Sequence, residues 1–299
     1  MGSAPWAARM AVITGMSSAL WWTAASTPVA SAGATSAPAA GRDVRAASAR
    51  PAPLVRDAGS AGVTKQGLAA PPMSSRMLSA NAERQVRAKE FLRMLRQNVS
   101  ADVKCTSRAC RTGLPVAKNL KPTQQAQVRG YYCGPATVSE MLAQLGRRVS
   151  QRAAARELKT NRSGTNWSDD AGYPVPDVLN MNQKKNNYVA VALPWSPTSG
   201  QVRAFETDLV ADVNHNGGVP LAGNAYEVAG GPHLVGNPLN QTIFHWFDIR
   251  GYKNFGRVTD YEDSVHGAAS IGWSAAVPAY SSMSSRAIVD ILGARGYDW

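Results

Sequence analysis

Residues 127–138 read Gln-Val-Arg-Gly-Tyr-Tyr-Cys-Gly-Pro-Ala-Thr-Val, or QVRGYYCGPATV. One of the chain's three cysteines stands here between an aromatic pair and a Gly-Pro. From Cys133 to Leu145 the apolar residues Val138, Met141, Leu142 and Leu145 follow the spacing i, i+3, i+4 and i+7, which is one face of a helix. Pro135 suits the first turn, where its missing N–H is no loss. Gly146 suits the C-terminal stop. The stretch therefore places Cys133 at a helix N-terminus. A thiol attacks as the thiolate, which a helix N-terminus and a neighbouring imidazolium both favour. A packed structural cysteine on an amphipathic helix fits the same local pattern, so the partners must decide.

Three kinds of partner are present. Gln127 lies six residues before Cys133, where a side-chain amide can converge with the Cys133 backbone N–H on an oxyanion. Gln124 and Gln125 stand close by. Of the four histidines, His215 lies in a turn-like stretch, His233 in a loop and His266 after a strand. His245 alone falls inside a predicted strand, the rigid support a base needs. Asp248, Asp260 and Asp263 are the candidates to orient the imidazole. Asp248 is three residues from His245 on one strand and should point to the opposite face. Asp260 and Asp263 lie on or after the next strand.

Outward from this core, residues 1–32 read as a secretory signal. An apolar stretch from Met10 to Ala25 follows Arg9, and Ala30-Ser31-Ala32 fits the small-x-small cleavage pattern. Residues 33–100 read as an Ala/Ser/Pro/Arg-rich linker or pro-segment. Within it, residues 81–98 look helical and basic, with Val86, Phe91, Leu92 and Leu95 as a partial apolar stripe; this is a pro-region helix or the first helix of the folded domain. Residues 101–299 are expected to form the folded domain that carries these candidate catalytic residues. Ser150 caps a second helix over 151–160, and a short helix covers 176–184. Strands at 187–193 and 218–228 flank a helix at 200–213. Strands follow at 243–252, rich in aromatic and β-branched residues, and at 257–265. Helices first and strands later argue for an α+β fold.

Charge and cysteine usage narrow the function. Residues 1–130 carry 18 Lys/Arg against 5 Asp/Glu, and residues 131–299 carry 14 against 15. The basic character thus belongs to the N-terminal segment, which reads first as a solvated basic linker and is also suited to anionic cell-envelope polymers. Neither a zinc finger nor an aromatic RNA-reading signature is present, so specific nucleic-acid binding is not expected. After the signal, no segment has the ~20 apolar residues of a membrane span. Cys105 and Cys110 can close a small disulfide loop, which leaves Cys133 over. Asp212–Gly217, DVNHNG, opens like a calcium loop but has Gly223 where the bidentate glutamate belongs. The histidines show no metal-ligand spacing, and no metal or cofactor is expected.

Gln-x5-Cys-Gly-Pro-Ala over 127–136, the His245-Trp246 strand running to Gly251-Tyr252, and Tyr261-x-Asp263 together resemble the C39-like peptidases of the papain-like cysteine protease superfamily. The likeness covers roughly residues 120–268. It implies a papain-like α+β fold whose nucleophile helix, in an N-terminal helical part, packs on an antiparallel sheet. It implies Cys133 as nucleophile, His245 as base, Asp263 as its orienting carboxylate and Gln127 as oxyanion donor. The family commonly has Asp-Pro where this chain has Asp263-Ser264, so Asp260 stands as the alternative to Asp263. The likeness is to the secreted stand-alone branch, whose substrates the family pattern does not define. A peptide or protein substrate is expected. The same chemistry also serves a cell-wall peptide amidase or a peptidyl or acyl transferase, and a degenerate fold would serve a non-catalytic envelope-binding protein.

Overall fold

The computed structural model describes residues 73–97, 113–169, 172–215 and 217–299. The expected signal at 1–32, most of the expected linker, and Cys105 and Cys110 lie outside the described residues. The chain order is α1 (Ser75–Gln97), β1 (Lys118–Asn119), α2 (Cys133–Gln144), α3 (Gln151–Glu157), α4 (Pro174–Asn182), β2 (Ala190–Ala192), α5 (Ser199–Asn214), β3 (Leu221–Glu227), β4 (Ile243–Lys253), β5 (Val258–Glu262), β6 (Tyr280–Ser284), α6 (Ser285–Ile291) and β7 (Gly296–Asp298).

Local chemistry explains most boundaries. At the end of α2, Gly146 takes φ +84. The Arg147 N–H reaches the Leu142 carbonyl at 2.7 Å and the Gly146 N–H reaches Ala143 at 3.1 Å, a glycine-closed C-terminus that satisfies the last carbonyls. The Ser150 hydroxyl accepts the Ala153 N–H at the head of α3. Helix α3 stops at Glu157, earlier than the expected residue 160, because Lys159 turns left-handed at φ +53. Thr198 and Gln201 cap α5 reciprocally.

The strands form one antiparallel sheet in the order β2-β7-β3-β4-β5-β6, with β1 paired to the outer end of β4. Strand β4 is central: Ala225 of β3 stands opposite His245, and Glu262 of β5 opposite Asp248. Between Ile249 and Gly251 the β4–β5 register shifts. Alternation along the strands separates two cores. Leu221, Phe247, Ile249 and Tyr297 join Phe205, Leu209 and Val213 of α5 and Ile288 and Val289 of α6. Ala222 and Trp246 join Val138, Met141 and Leu142 of α2, Val178 and Leu179 of α4, and Trp167. The fold is thus α+β, with the helix that begins at Cys133 packed on an antiparallel sheet.

The expectation that helices precede strands needs correction. Strand β1 comes before α2, and β6, α6 and β7 follow the strand read as the last. Strand β6 lies at the sheet edge with a YSSMS sequence, and β7 has only three residues. Neither carries a strong apolar alternation. Helix α1 begins six residues before its expected start, and its buried face also differs. Val86 is 65% exposed, while Arg84, Ala88 and Leu92 are buried. Arg84 docks as a polar anchor: its guanidinium meets both Asp212 oxygens at 2.7 and 2.8 Å and lies 4.3 Å over the Trp299 ring. Gln85 donates to Asp208, and Asn81 accepts from the Trp299 indole.

Candidate active site

Cys133 is the first residue of α2, is 1% exposed, and carries a thiol. Gly134 follows because nothing larger fits: a Cβ there would come within 2.6 Å of the Thr165 Cβ. Thr165 is itself held, with its hydroxyl on Thr160 at 2.7 Å and its carbonyl accepting the Trp246 indole N–H at 3.1 Å. Trp246 in turn stacks on Trp167 with ring centroids 5.7 Å apart. The start of the helix is therefore wedged against the strand that carries His245.

His245 is fully buried in β4, and its Nε2 lies 3.0 Å from Asp263 Oδ1. Asp263 stands immediately past β5. The Val265 N–H donates to the same oxygen at 2.9 Å, and the Asp263 N–H donates to Ala279. His245 Nδ1 has no nitrogen or oxygen partner among the described residues. Burial alone would push the imidazole down. The Asp263 carboxylate, by charge and by hydrogen bond, and then Cys133 on the same ring outweigh that effect and hold His245 well above the ordinary histidine range.

The other two aspartates lie elsewhere. Asp260 accepts from the Ser282 hydroxyl and pairs with Lys253 at 3.0 Å. Asp248 accepts from Gln144 Nε2 at 2.6 Å; burial and the neighbouring Glu262 and Glu140 push its carboxyl well up. Of the three carboxylates open at the sequence level, Asp263 is the one on the imidazole. The remaining histidines are engaged away from Cys133. His215 meets Phe91 edge-on at 5.7 Å, His233 lies between the Gly231 and Gln241 carbonyls, and His266 Nδ1 contacts the Val277 carbonyl.

Gln127 is 1% exposed. Its Nε2 donates to the Arg129 carbonyl at 2.8 Å, and its Oε1 accepts the Ser264 hydroxyl at 3.2 Å. Its backbone N–H donates to the Ser264 carbonyl at 2.8 Å. Gln124 Nε2 bonds the Asp263 and His266 carbonyls. The segment around Gln127 is thereby laced to the loop that holds Asp263. Gln151, inside α3, completes the support by accepting the Val128 N–H and donating to the Ala126 carbonyl.

Several of these supporting groups were not legible in the sequence. Ser264 was visible only as a departure from a family's proline. Gln151 and Thr165 carried no signal, because their partners are distant in the chain. Glu227 is another such group. It is buried, accepts from Asn237 Nδ2 at 2.9 and 3.0 Å, and is pushed up to about 7 by burial. The Tyr131–Tyr132 pair meets edge to face at 5.2 Å and is half-buried. Among the described residues no group of His, Cys, Asp and Glu is arranged to hold a metal ion. Likewise, no helix among them is long and apolar enough to cross a membrane.

A thiol at a helix head, a buried imidazole on the strand packed against that helix and a carboxylate on that imidazole are the types of group that thiol chemistry uses. The Peptidase_C39 like family model matches residues 117–287, and the chain belongs to that family of cysteine-type peptidases. It is similar to the structure of a C39-like peptidase from Bacillus anthracis, at 13% identity and TM-score 0.36, over 60% of this chain and 94% of that one. It is also similar to xylellain, a cysteine protease from Xylella fastidiosa, at 13% identity and TM-score 0.34, over 62% and 85% of the two chains. Digestive procathepsin L 3 of Tenebrio molitor larval midgut is similar at 13% identity and TM-score 0.29, over 71% and 78%. A search of curated proteins found no match.

Proposed function

We propose that this cysteine peptidase hydrolyses a peptide bond through Cys133, His245 and Asp263, with Gln127 and the Cys133 backbone N–H as oxyanion donors. The observation that carries the reading is the buried His245–Asp263 contact of 3.0 Å on the same imidazole that Cys133 acts upon. With Asp263 on Nε2, Nδ1 is the ring nitrogen that exchanges a proton with the thiol. An imidazolium held by the carboxylate stabilises the thiolate beside it. The thiolate adds to the amide carbonyl, and charge passes to the oxygen, where the Gln127 amide and the Cys133 N–H receive it. His245 then gives its proton to the leaving amine, and water cleaves the acyl-thiol in a second round. No step calls for a metal or cofactor.

The reading of residues 1–32 as a signal sequence makes this a secreted enzyme. The basic segment before residue 130 then serves to hold it on anionic envelope polymers. The deciding experiment pairs hydrolysis with labelling. The full chain should cleave casein, or cell-wall material on zymography, and Cys133→Ala should abolish this. Gln127→Ala should lower turnover by about 10²-fold. Iodoacetamide should label Cys133 at pH 6 faster than an ordinary thiol. Retained hydrolysis in Cys133→Ala would sink the proposal.

A further inference from the structure

We propose that Ser264 is a positioning residue for the oxyanion glutamine, its hydroxyl fixing the Oε1 end of the Gln127 amide. The inference rests on the Gln127 role proposed above. Ser264 and Gln127 are both buried, so the two ends of the Gln127 amide are held chiefly by protein partners. The Arg129 carbonyl only accepts, which assigns Nε2 to that side. Oε1 then faces the Ser264 hydroxyl, which donates to it at 3.2 Å. One Nε2–H is held by Arg129 and the second is left for a developing oxyanion. The hydroxyl and the Arg129 carbonyl grip the two ends of one planar amide, so the direction of that second N–H is set before substrate arrives.

The backbone makes the task specific to the side chain. The Ser264 carbonyl accepts the Gln127 N–H at 2.8 Å, a bond that any residue can supply, proline included. Only the hydroxyl reaches Oε1. Ser264 also follows Asp263 directly, so one short segment carries both the carboxylate on His245 and the donor on Gln127. The two halves of the site are thus tied at one point in the chain. Without the hydroxyl, Oε1 is buried without its donor and the amide loses one of its two fixed ends.

Two small electrophiles separate this role from a general structural one. p-Nitrophenyl acetate acetylates Cys133: the sulfur adds to the carbonyl carbon, charge passes to the oxygen, and nitrophenolate leaves with the bonding pair. Iodoacetamide alkylates the same sulfur by displacing iodide, with no oxyanion. In Ser264→Ala and Ser264→Pro the acetylation rate should fall about five- to tenfold. The alkylation rate and its pH profile should stay within about twofold of wild type, and Ser264→Thr should keep both. Unchanged acetylation in the Ala and Pro variants overturns the proposal. So does an equal fall in both reactions, which would make Ser264 a support of the fold or of the thiolate. A loss in Ser264→Thr as large as in Ser264→Ala also overturns it. Failure of the underlying site reads differently: wild-type Cys133 would then alkylate at pH 6 no faster than an ordinary thiol, and Gln127→Ala would acetylate as fast as wild type.

Discussion

His245 and Asp263 are eighteen residues apart in the chain and meet at 3.0 Å with neither open to solvent. The antiparallel pairing of β4 and β5 produces the contact. Asp248 pairs with Glu262, so the residue after the strand end runs on along β4 toward His245. The carboxylate then lifts an imidazole that burial alone would depress.

Asp263→Asn should therefore lower the iodoacetamide labelling rate of Cys133 at pH 6 by about 10²-fold or more. Removing the carboxylate leaves burial to push the imidazole down, and the thiolate loses its cation. Asp260→Asn should leave the rate within about twofold, because Asp260 is bound to Ser282 and Lys253. Equal effects of the two substitutions would show that Asp263 does not orient His245.

The fold should be more stable in mild acid than in mild base. Burial, the largest cause in each case, pushes Glu227 and Glu262 up to about 7 and Asp212 up to about 6. A carboxyl raised in this way keeps its proton in the folded chain where the unfolded chain has lost it. Stability then falls as pH rises from the ordinary carboxylate range through about 7. His245, held above its ordinary range, acts in the same direction: its contribution is full below roughly 6.5 and is lost as pH rises through its folded value. Melting scans should show a midpoint at pH 8 several degrees below that at pH 5.5. A midpoint that is flat or rising over this interval would contradict the burial argument.

Gly134→Ala should damage both stability and reactivity. Its Cβ would press on Thr165, which Thr160 and Trp246 prevent from yielding. The expected cost is about 1–3 kcal/mol, with slower alkylation of Cys133 as the helix start moves. Gly134→Ala combined with Thr165→Gly should recover much of the melting temperature. Denaturant unfolding and labelling of both variants check this.

Arg84→Ala should destabilise the fold by about 3–5 kcal/mol, since it leaves Asp212 buried without its cation. Arg84→Lys should not restore the full amount. A single ammonium cannot reproduce the paired contact with Asp212 together with the stacking on Trp299. Urea unfolding of the two variants gives the comparison. A loss below about 1 kcal/mol in Arg84→Ala would mean that α1 is only loosely held.

The elements that carry the candidate site residues were legible before any fold was known. Cys133 announced itself through a helix start, Gln127 through its distance from that start, and His245 through a strand pattern dense in aromatic residues. Such signals are local, because a helix period or a strand alternation is written within a dozen residues. The choice among three aspartates was not local. It depended on which residue of β5 faces which residue of β4, and the register shift between Ile249 and Gly251 falls in that pairing. A one-residue change of register turns side chains to the other face.

By itself, then, the sequence determined the class of fold, the helix that carries the thiol and the strand that carries the imidazole, because burial patterns select these elements directly. Only the tertiary structure decided that Asp263 meets His245, that Ser264 and Gln151 hold the segment around Gln127, and that α1 docks through Arg84 rather than through Val86. Each of these is a contact between residues distant in the chain, between polar groups whose partners no local period records. Their energies come from burial and geometry, which exist only once the sheet has formed.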